Sequence, residues 1–430
     1  MPLPRYVVDV SLLRRNRDFR RVFLARTVSL FGLGFLAVAL PVQVQDATGS
    51  SLAVGLVMAL EGAGLAAGLL LGGVWADRTD HRRLILMARS LCGMGYVGLA
   101  INAFLPRPSL TVLFGFALWD GFFGAIGVSA LLAAMPALVG RERLLQARAL
   151  SMLSMRFVTI LSPLLGGVII GAGGLGWAYT GTAAATLLTV LMLLGLPALP
   201  PPAVPRQPAL RMLGDGFRFL RNSRIVAGAV LVSAITTAMG AVRVLIPAMA
   251  QGHGSTDPLV AGLLFAAIPA GAVLGAVFCA WIGRLNRPVC VLALSALASC
   301  ATVMLFGLSQ DASQAALALI ASGYAGSVAG LLQYTLVQGH TPDSHLGRVS
   351  ALWTAQDALA DGLGATLVGI LAKAFGPGGA ALGLGFGGVL LSLLAGYAFR
   401  AGRGAALHDP ALAGPGEHKS IISGKDLADA

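Results

Sequence analysis

The sequence predicts an all-α membrane protein whose twelve transmembrane helices form two pseudo-symmetric six-helix halves. Of its 430 residues, 57% are hydrophobic and 11% are charged, whereas soluble domains average about 45–50% apolar and about 25% charged residues. The apolar residues form long continuous runs, enough for roughly twelve helices of about 20 residues each. This composition excludes a soluble globular protein and a disordered chain, and the continuous runs exclude a membrane β-barrel, whose strands would alternate.

Turn-forming or charged residues bound each of the apolar runs. We predict spans at 24–44, 51–74, 84–104, 110–138, 150–172, 177–196, 223–248, 258–282, 288–308, 312–339, 350–372 and 378–399. The four cysteines show no CxxC spacing, so the sequence predicts neither a metal site nor a disulfide framework.

The basic residues orient this bundle. Of the 30 Lys and Arg residues, 26 lie near the two termini or in every second connection. Arg107 and Lys373 lie on the other side, and Arg156 and Arg243 lie within spans. Because cytoplasmic loops are enriched in Lys and Arg, this split predicts cytoplasmic termini and an even number of spans. The net charge of +12 therefore reflects topology, and nucleic acid is not an expected partner.

The chain divides into four predicted regions. We expect an N-terminal half at 1–196, a cytoplasmic linker with an amphipathic helix at 197–222, a C-terminal half at 223–399 and a cytoplasmic tail at 400–430. Similar features recur in the two halves at an offset of about 206 residues, which indicates a duplicated six-span unit. The corresponding positions are Leu40-Pro41 and Ile246-Pro247, Gly55 and Gly262, Gly64 and Gly271, and Gly68 and Gly275.

The loop after the second predicted span reads GGVWADRTDHRR. Gly73 would let two helices approach closely. Asp77, at a helix end, could accept hydrogen bonds from a neighbouring helix N-terminus or pair with an arginine. With Arg78 and Arg82 it would form a latch that gates the cytoplasmic side. The alternative is an ordinary basic loop that follows the positive-inside rule.

This loop resembles the cytoplasmic signature of the major facilitator superfamily, Gly-x-x-x-Asp-Arg-x-Gly-Arg-Lys, from which Asp80 and His81 depart. The superfamily consists of two parallel six-span repeats around a midplane site, and the resemblance implies that fold. Further short runs resemble the superfamily's bacterial siderophore exporters. These are FLAR at 23–26, LWDGFF at 118–123, PALVGRE at 136–142, AVRVL at 241–245, LLQYT at 331–335, LGR at 346–348 and LWTAQ at 352–356. The resemblance implies proton-driven export of an enterobactin-like catecholate siderophore across the bacterial inner membrane.

Arginines inside the spans are candidates for cargo binding, because each ionisable group costs about 2.5–3.5 kcal/mol to insert. Arg156 and Arg243 lie well inside spans, and Arg26 lies at the inner end of the first span. A guanidinium group offers a planar set of donors and a face for aromatic stacking, which suit the phenols and carbonyls of a catecholate. The alternative is a structural ion pair with Asp120 or with an acid in the eleventh span.

Carboxylates are the expected proton carriers, since the histidines lie outside the predicted spans. Asp357 and Asp361 share one helix face, where two carboxylates cannot both ionise cheaply. Asp361 is the deeper residue, whereas Asp357 could instead cap a helix or pair with Arg348. Glu61 is a candidate for the pathway or for a hydrogen bond between helices.

Three further side chains are predicted cargo contacts. Asp120 lies among aromatic residues in the fourth span and is also a proton-coupling candidate. Tyr334 and Gln356 add polar groups in the tenth and eleventh spans, where such groups often join helices instead.

Two other functions are alternatives to siderophore export. A multidrug/proton antiporter of the same superfamily would favour bare acids and aromatics without cavity arginines. A membrane enzyme would need a catalytic cluster, and the sequence has no Walker loop, H-E-x-x-H motif or Ser/His/Asp constellation. We therefore predict a monomeric transporter in the lipid bilayer with no enzymatic activity and no cofactor, whose partners are its cargo and protons.

Overall fold

The computed structural model describes residues 11–76, 78–200, 217–221, 223–252, 257–279, 281–282, 285 and 287–398. These residues are almost entirely helical, and no strand occurs among them. The α-helices are α1 (Ser11–Arg15), α2 (Arg17–Thr48), α3 (Ser51–Ala76), α4 (His81–Phe104), α5 (Leu110–Val139), α6 (Leu144–Gly173), α7 (Leu175–Leu194), α8 (Arg224–Gly240), α9 (Ile246–Gly252), α10 (Pro258–Val277), α11 (Pro288–Gly307), α12 (Ala312–Gly339) and α13 (Asp343–Ala398). Only 197–200 and 217–221 of the predicted linker, and none of the predicted tail, fall within the described residues.

Within these ranges, eleven helical segments are long and apolar enough to cross a membrane. The last segment, Leu352–Gly396, has 45 residues and covers both the eleventh and the twelfth predicted spans. Gly376 interrupts α13 with non-helical angles (φ 74°, ψ 171°) and is followed by Pro377. At about 1.5 Å per residue this segment is about twice the length needed to cross a bilayer of ~30 Å. We therefore describe α13 as a first arm (343–375) and a second arm (377–398), while the count of twelve spans stays a prediction.

Several helix boundaries differ from the predicted spans; α6 and α13, for example, begin six and seven residues before the predicted starts at 150 and 350. The first membrane-spanning helix, α2, begins at Arg17 rather than near residue 24. The Asn16 side chain accepts a hydrogen bond from the Phe19 amide and so caps the helix at this point. The eighth predicted span ends early, since α10 stops at Val277.

The seventh predicted span is broken in its middle. Helix α8 ends at Gly240, a 3₁₀ segment covers Ala241–Leu245, and α9 resumes at Ile246. A 3₁₀ stretch inside a long helix often marks a functional hinge. This segment carries Arg243.

The predicted repeat is visible in how the glycines pack. Gly64 and Gly68 of α3 lie against the backbone of α5, and Gly271 and Gly275 of α10 lie against the backbone of α12. A Cβ atom at any of the four would crowd the facing helix. Equivalent helices therefore make equivalent contacts in the two halves, and close approach through small residues is a common means of packing membrane helices.

The two halves meet tightly on one side of the bundle. Helix α3 packs against the first arm of α13, where Gly55 contacts Ala365, and α6 packs against α10, where Gly167 contacts Gly262. These contacts lie near the loop between α2 and α3 and near the Gly376 break. We call this side the opposite face. The basic face is the other side, with the α3–α4 and α5–α6 connections.

The buried core shows the same asymmetry. One large apolar cluster near the opposite face contains residues from both halves. Near the basic face there are two clusters, one confined to Leu12–Leu199 and the other to Val226–Val349. The halves thus share a core on the opposite face and separate toward the basic face.

Candidate functional site

An ion pair joins the break in the seventh predicted span to the first arm of α13. The Arg243 Nη2 atom lies 2.6 Å from Asp361 Oδ2, and the two side chains are 39% and 28% exposed. The break in the helix places Arg243 beside α13, and α3 also packs near this segment. An ion pair between an arginine within a span and an acid of the eleventh span was the alternative to cargo binding; Arg243 makes this pair with Asp361.

Asp357 is held differently, although it shares a helix face with Asp361. Its Oδ1 atom accepts hydrogen bonds from Ser233 Oγ at 2.9 Å and Thr237 Oγ1 at 3.1 Å. Ser233 Oγ in turn accepts one from Trp353 Nε1 at 2.8 Å. These bonds tie the first arm of α13 to α8, so Asp357 belongs to a packing network between helices.

Gln356 also contacts α8. With its amide group turned so that donors and acceptors match, its nitrogen donates to the Val230 carbonyl at 3.1 Å. This contact joins helices, which is the alternative role that the sequence left open for it.

Arg243 also lines a cavity with two carboxylates, which we call the acidic cavity. Its water-accessible space is about 300 Å³, and its other lining residues are apolar apart from Glu61 and Asp120. Asp120 is 7% exposed and accepts a hydrogen bond from Tyr96 Oη at 2.7 Å. The Glu61 carboxylate accepts no hydrogen bond from the described residues and shares this cavity with Asp120 and Arg243. Two carboxylates, those of Glu61 and Asp120, therefore line one cavity together with Arg243.

A second cavity, which we call the serine-lined cavity, lies mainly in the C-terminal half. It holds about 430 Å³ of water-accessible space. Arg156 reaches it from α6, and its guanidinium group makes neither an ion pair nor a hydrogen bond with the described residues. The polar lining residues are Arg156, Thr236, Ser299, Ser322 and Ser327.

The two cavities correspond to each other through the repeat. Gly121 lies against the Glu61 carbonyl, and Gly323 lies against the Ile268 carbonyl, so these glycines are equivalent. Asp120 precedes the first glycine and Ser322 precedes the second. The positions of the two acids are thus occupied by Ile268 and Ser322 in the serine-lined cavity.

Arg26 is a predicted cargo contact, and this stays a prediction. It lines a small separate pocket within the N-terminal half together with Ile85, Arg89 and Gly127. The position of residue 26 on α2 turns its side chain toward α4 and α5 rather than toward the C-terminal half. Arg89 there donates a hydrogen bond to Ser29 Oγ at 3.0 Å.

Tyr334 remains a candidate for cargo contact. Its side chain is 51% exposed, and its ring centre lies 6.5 Å from that of Trp353. It lies one turn after Gly330, a residue that lines the serine-lined cavity.

The predicted cytoplasmic latch is only partly visible. Asp77 lies outside the described residues. Among the described residues nothing lies within 4 Å of where a Cβ atom on Gly73 would be, and the close helix approach at this residue stays a prediction. Arg78 is exposed, and Arg82 Nη2 donates to the Leu194 carbonyl at 2.7 Å within the same half.

Asp80 has a role that the motif comparison missed. Its Oδ1 atom accepts from the Arg83 amide at 3.0 Å and so caps α4, while Oδ2 accepts from the Leu199 amide at 2.7 Å. The His81 amide donates to the Leu199 carbonyl at 2.9 Å. The departure from the superfamily pattern thus fastens the segment after α7 to the α3–α4 loop. An Asp immediately before a helix was the available sequence signal.

Comparisons with known proteins agree with this architecture. The family model described as transmembrane secretion effector matches residues 11–414. The enterobactin exporter EntS of Shigella boydii is 45% identical over 389 residues, which cover 90% of this chain and 93% of that protein.

Two solved transporters share the fold. The nucleoside transporter NupG superposes with a TM-score of 0.71 at 14% identity, covering 89% of this chain and 98% of its own. A bacterial homologue of the lysosomal transporter Spinster, in an inward-facing and unoccupied conformation, gives 0.69 at 16% identity, with 90% and 96% covered. The family and these relatives are transporters and not enzymes. The chain is therefore a multi-pass membrane transporter that belongs to the transmembrane secretion effector family of the major facilitator superfamily.

Proposed function

We propose that this protein exports an enterobactin-like catecholate siderophore across the bacterial inner membrane in exchange for protons. In this proposal both termini and the basic face are cytoplasmic, as the distribution of Lys and Arg indicates. The arrangement, closed at the opposite face, is then the state that receives cargo from the cytoplasm.

One observation carries the choice of cargo: Arg156 presents an unpaired guanidinium group to a polar cavity. An unpaired cation inside a membrane protein is costly unless it meets a ligand. Phenol, phenolate and carbonyl oxygens accept hydrogen bonds from guanidinium, and an aromatic ring can stack on its face. The relative that is 45% identical carries the name enterobactin exporter, which supports the same class of cargo.

Proton exchange would depend on the ion pair between Arg243 and Asp361. Protonation of Asp361 from the opposite face removes its charge and releases Arg243. Loss of that proton on the basic face restores the pair. Antiport follows if cargo and proton each favour a different conformation of the same two halves.

The acidic cavity favours a second candidate, a multidrug/proton antiporter. Glu61 and Asp120 line an otherwise apolar space, which suits an organic cation. Arg243 in the same cavity counts against it, because such an antiporter is expected to have acids and aromatic residues without cavity arginines.

Binding to the purified protein in lipid nanodiscs tests these alternatives. We expect saturable binding of enterobactin, reduced by Arg156→Ala, and no saturable binding of a cationic dye such as ethidium. Tight binding of ethidium with no binding of enterobactin would reject siderophore export in favour of the multidrug alternative.

A further inference from the structure

One wall of the serine-lined cavity is formed by exposed backbone. Gly326 and Gly330 are one turn apart on α12, and Gly240 ends α8. All three line the cavity, and a Cβ atom at any of them would meet nothing within 4 Å. By contrast, Gly323 on the same helix lies against the α10 backbone. Helix packing therefore explains Gly323 but not Gly326 or Gly330, and glycine is also the residue that lets a ligand approach the backbone closely.

Polar groups without partners surround this wall. Ser327 Oγ is buried and has no hydrogen-bond partner among the described residues. Arg156 likewise has neither an ion pair nor a side-chain hydrogen bond within them. Buried polar groups in proteins nearly always find a partner. The buried Ser327 Oγ, in a cavity that the half-buried Arg156 also lines, therefore points to a ligand that supplies hydrogen-bond acceptors.

The charge of the residues that line the serine-lined cavity indicates what kind of ligand fits there. Ile268 and Ser322 occupy the positions that Glu61 and Asp120 occupy in the repeat-related acidic cavity. The lining residues thus include one cation and no acid. A neutral or anionic ligand rich in oxygen is favoured over a cation.

An aromatic pair lies next to the glycine wall. Tyr334 follows Gly330 by one helical turn, and its half-exposed ring lies 6.5 Å from that of Trp353. Aromatic rings stack with a flat π-system in offset or edge-to-face geometry. The wall and this pair together suit a planar aromatic group.

We infer that the serine-lined cavity is a subsite for a single catechol ring, with Gly326 and Gly330 as the residues that select for a flat ring. The ring lies against the glycine wall, and its oxygens accept hydrogen bonds from Arg156 and Ser327. This inference rests on the proposed function, because it assigns one part of a catecholate cargo to one cavity.

The test uses a small probe, 2,3-dihydroxybenzoate, and its analogue benzoate, which lacks both hydroxyl groups. Binding is measured by titration calorimetry on the full chain in nanodiscs, for the native protein and for Gly326→Ala, Gly326→Leu and Gly330→Leu. Alanine and leucine are better helix formers than glycine, so these variants should keep the helix. Circular dichroism and size-exclusion profiles check this directly.

The matched control is Gly115→Leu. Gly115 is an exposed glycine of α5, and a Cβ atom there also meets nothing within 4 Å. It does not line either cavity.

We expect the Kd for 2,3-dihydroxybenzoate to rise by about tenfold or more in the two leucine variants, because the added side chain fills the slot. A smaller rise is expected in Gly326→Ala, and no change in Gly115→Leu. Benzoate should bind the native protein more weakly, since it leaves Arg156 and Ser327 with fewer acceptors.

The outcomes separate the two proposals. If the native protein binds enterobactin and the probe but the leucine variants bind the probe equally well, the ring subsite is wrong and the proposed function stands. Equal affinity of the native protein for benzoate and the probe would also reject the subsite, because the hydroxyl groups would then contribute nothing. If the native protein binds neither enterobactin nor the probe, the proposed function itself fails.

Discussion

Arg243 and Asp361 face each other across the break in the seventh predicted span, with Nη2 and Oδ2 2.6 Å apart. Neither side chain is fully buried, and Arg243 shares a cavity with Glu61 of the other half. Because both side chains are partly exposed, water can reach the pair and deliver a proton to it. This pair is therefore the most direct candidate for coupling proton movement to the motion of the two halves.

Asp361→Asn should retain cargo binding and lose export driven by a proton gradient. The amide cannot ionise, so it cannot alternate between holding and releasing Arg243. Binding in nanodiscs and transport in vesicles are measured on the same preparation. Asp357→Asn is the comparison, because an amide oxygen can still accept from Ser233 and Thr237. Normal gradient-driven export by Asp361→Asn would show that Asp361 is structural, and Asp120 would become the next candidate.

Arg156→Ala should raise the Kd for enterobactin about tenfold, which corresponds to about 1.4 kcal/mol. The reason is the loss of charge-assisted hydrogen bonds to the cargo oxygens. The Kd of Arg156→Lys should lie between those of the native protein and Arg156→Ala, since lysine keeps the charge but not the planar set of donors. Arg107→Ala, outside the predicted spans, serves as the control. An unchanged Kd in Arg156→Ala would remove this residue from the binding site.

Fixing the opposite face closed should trap the protein in the state described here. Gln251 Nε2 of α9 donates to Asp46 Oδ1 of α2 at 2.8 Å, which joins the two halves on that side. Cysteines at both positions, with the four native cysteines replaced by alanine, can be joined by a short bifunctional methanethiosulfonate. The crosslinked protein should bind cargo and not export it.

The two single-cysteine variants treated with the same reagent provide the control for this experiment. Full export by the crosslinked double variant would mean that this face does not open during transport.

Asp80→Asn should lower thermal stability without changing cargo affinity. The amide oxygen can still cap α4, but the NH₂ group cannot accept from the Leu199 amide. The loss of one hydrogen bond is worth about 0.5–1.5 kcal/mol, and unfolding in detergent followed by a thiol-reactive dye measures it. Asp80→Ala should lose the cap as well and be less stable than Asp80→Asn. Equal melting temperatures for all three proteins would show that neither bond contributes.

The predicted topology can be checked by labelling single cysteines from outside the cell. An impermeant maleimide should reach positions in Gly252–Asp257 and should miss those in Leu210–Arg224. Labelling of the second range from outside would reverse the assignment of the two faces and overturn the direction of transport proposed here.

The membrane helices and the two halves could be predicted from the sequence, because long apolar runs and repeated glycine spacings are specific patterns. Twenty consecutive apolar residues have few alternatives to a membrane helix. Gly64 and Gly271 occupy equivalent positions in the two halves, and each lies against the backbone of a facing helix, where a larger residue would not fit. The boundary at Arg17 was missed because the capping signal of Asn16 lies in a polar stretch that hydropathy does not register.

The site was less predictable, since it depends on which way each side chain faces. Arg156, Asp361 and Arg243 stood out because charge inside a span is rare. Arg26 has the same chemistry but faces a neighbouring helix in its own half. The glycines and serines of α12 carried no usable signal, because a chain with 57 glycines offers many such positions and only the fold shows which ones are open.

Export coupled to protons is tested most directly in inverted membrane vesicles loaded with a pH-sensitive dye, in which the lumen is made acidic. We expect labelled enterobactin to accumulate in the lumen, the lumen to become more alkaline as it does so, and a protonophore to stop both changes. Asp361→Asn vesicles should show neither signal although the protein still binds enterobactin. Accumulation of enterobactin that is indifferent to the protonophore and leaves the luminal pH unchanged would contradict proton antiport.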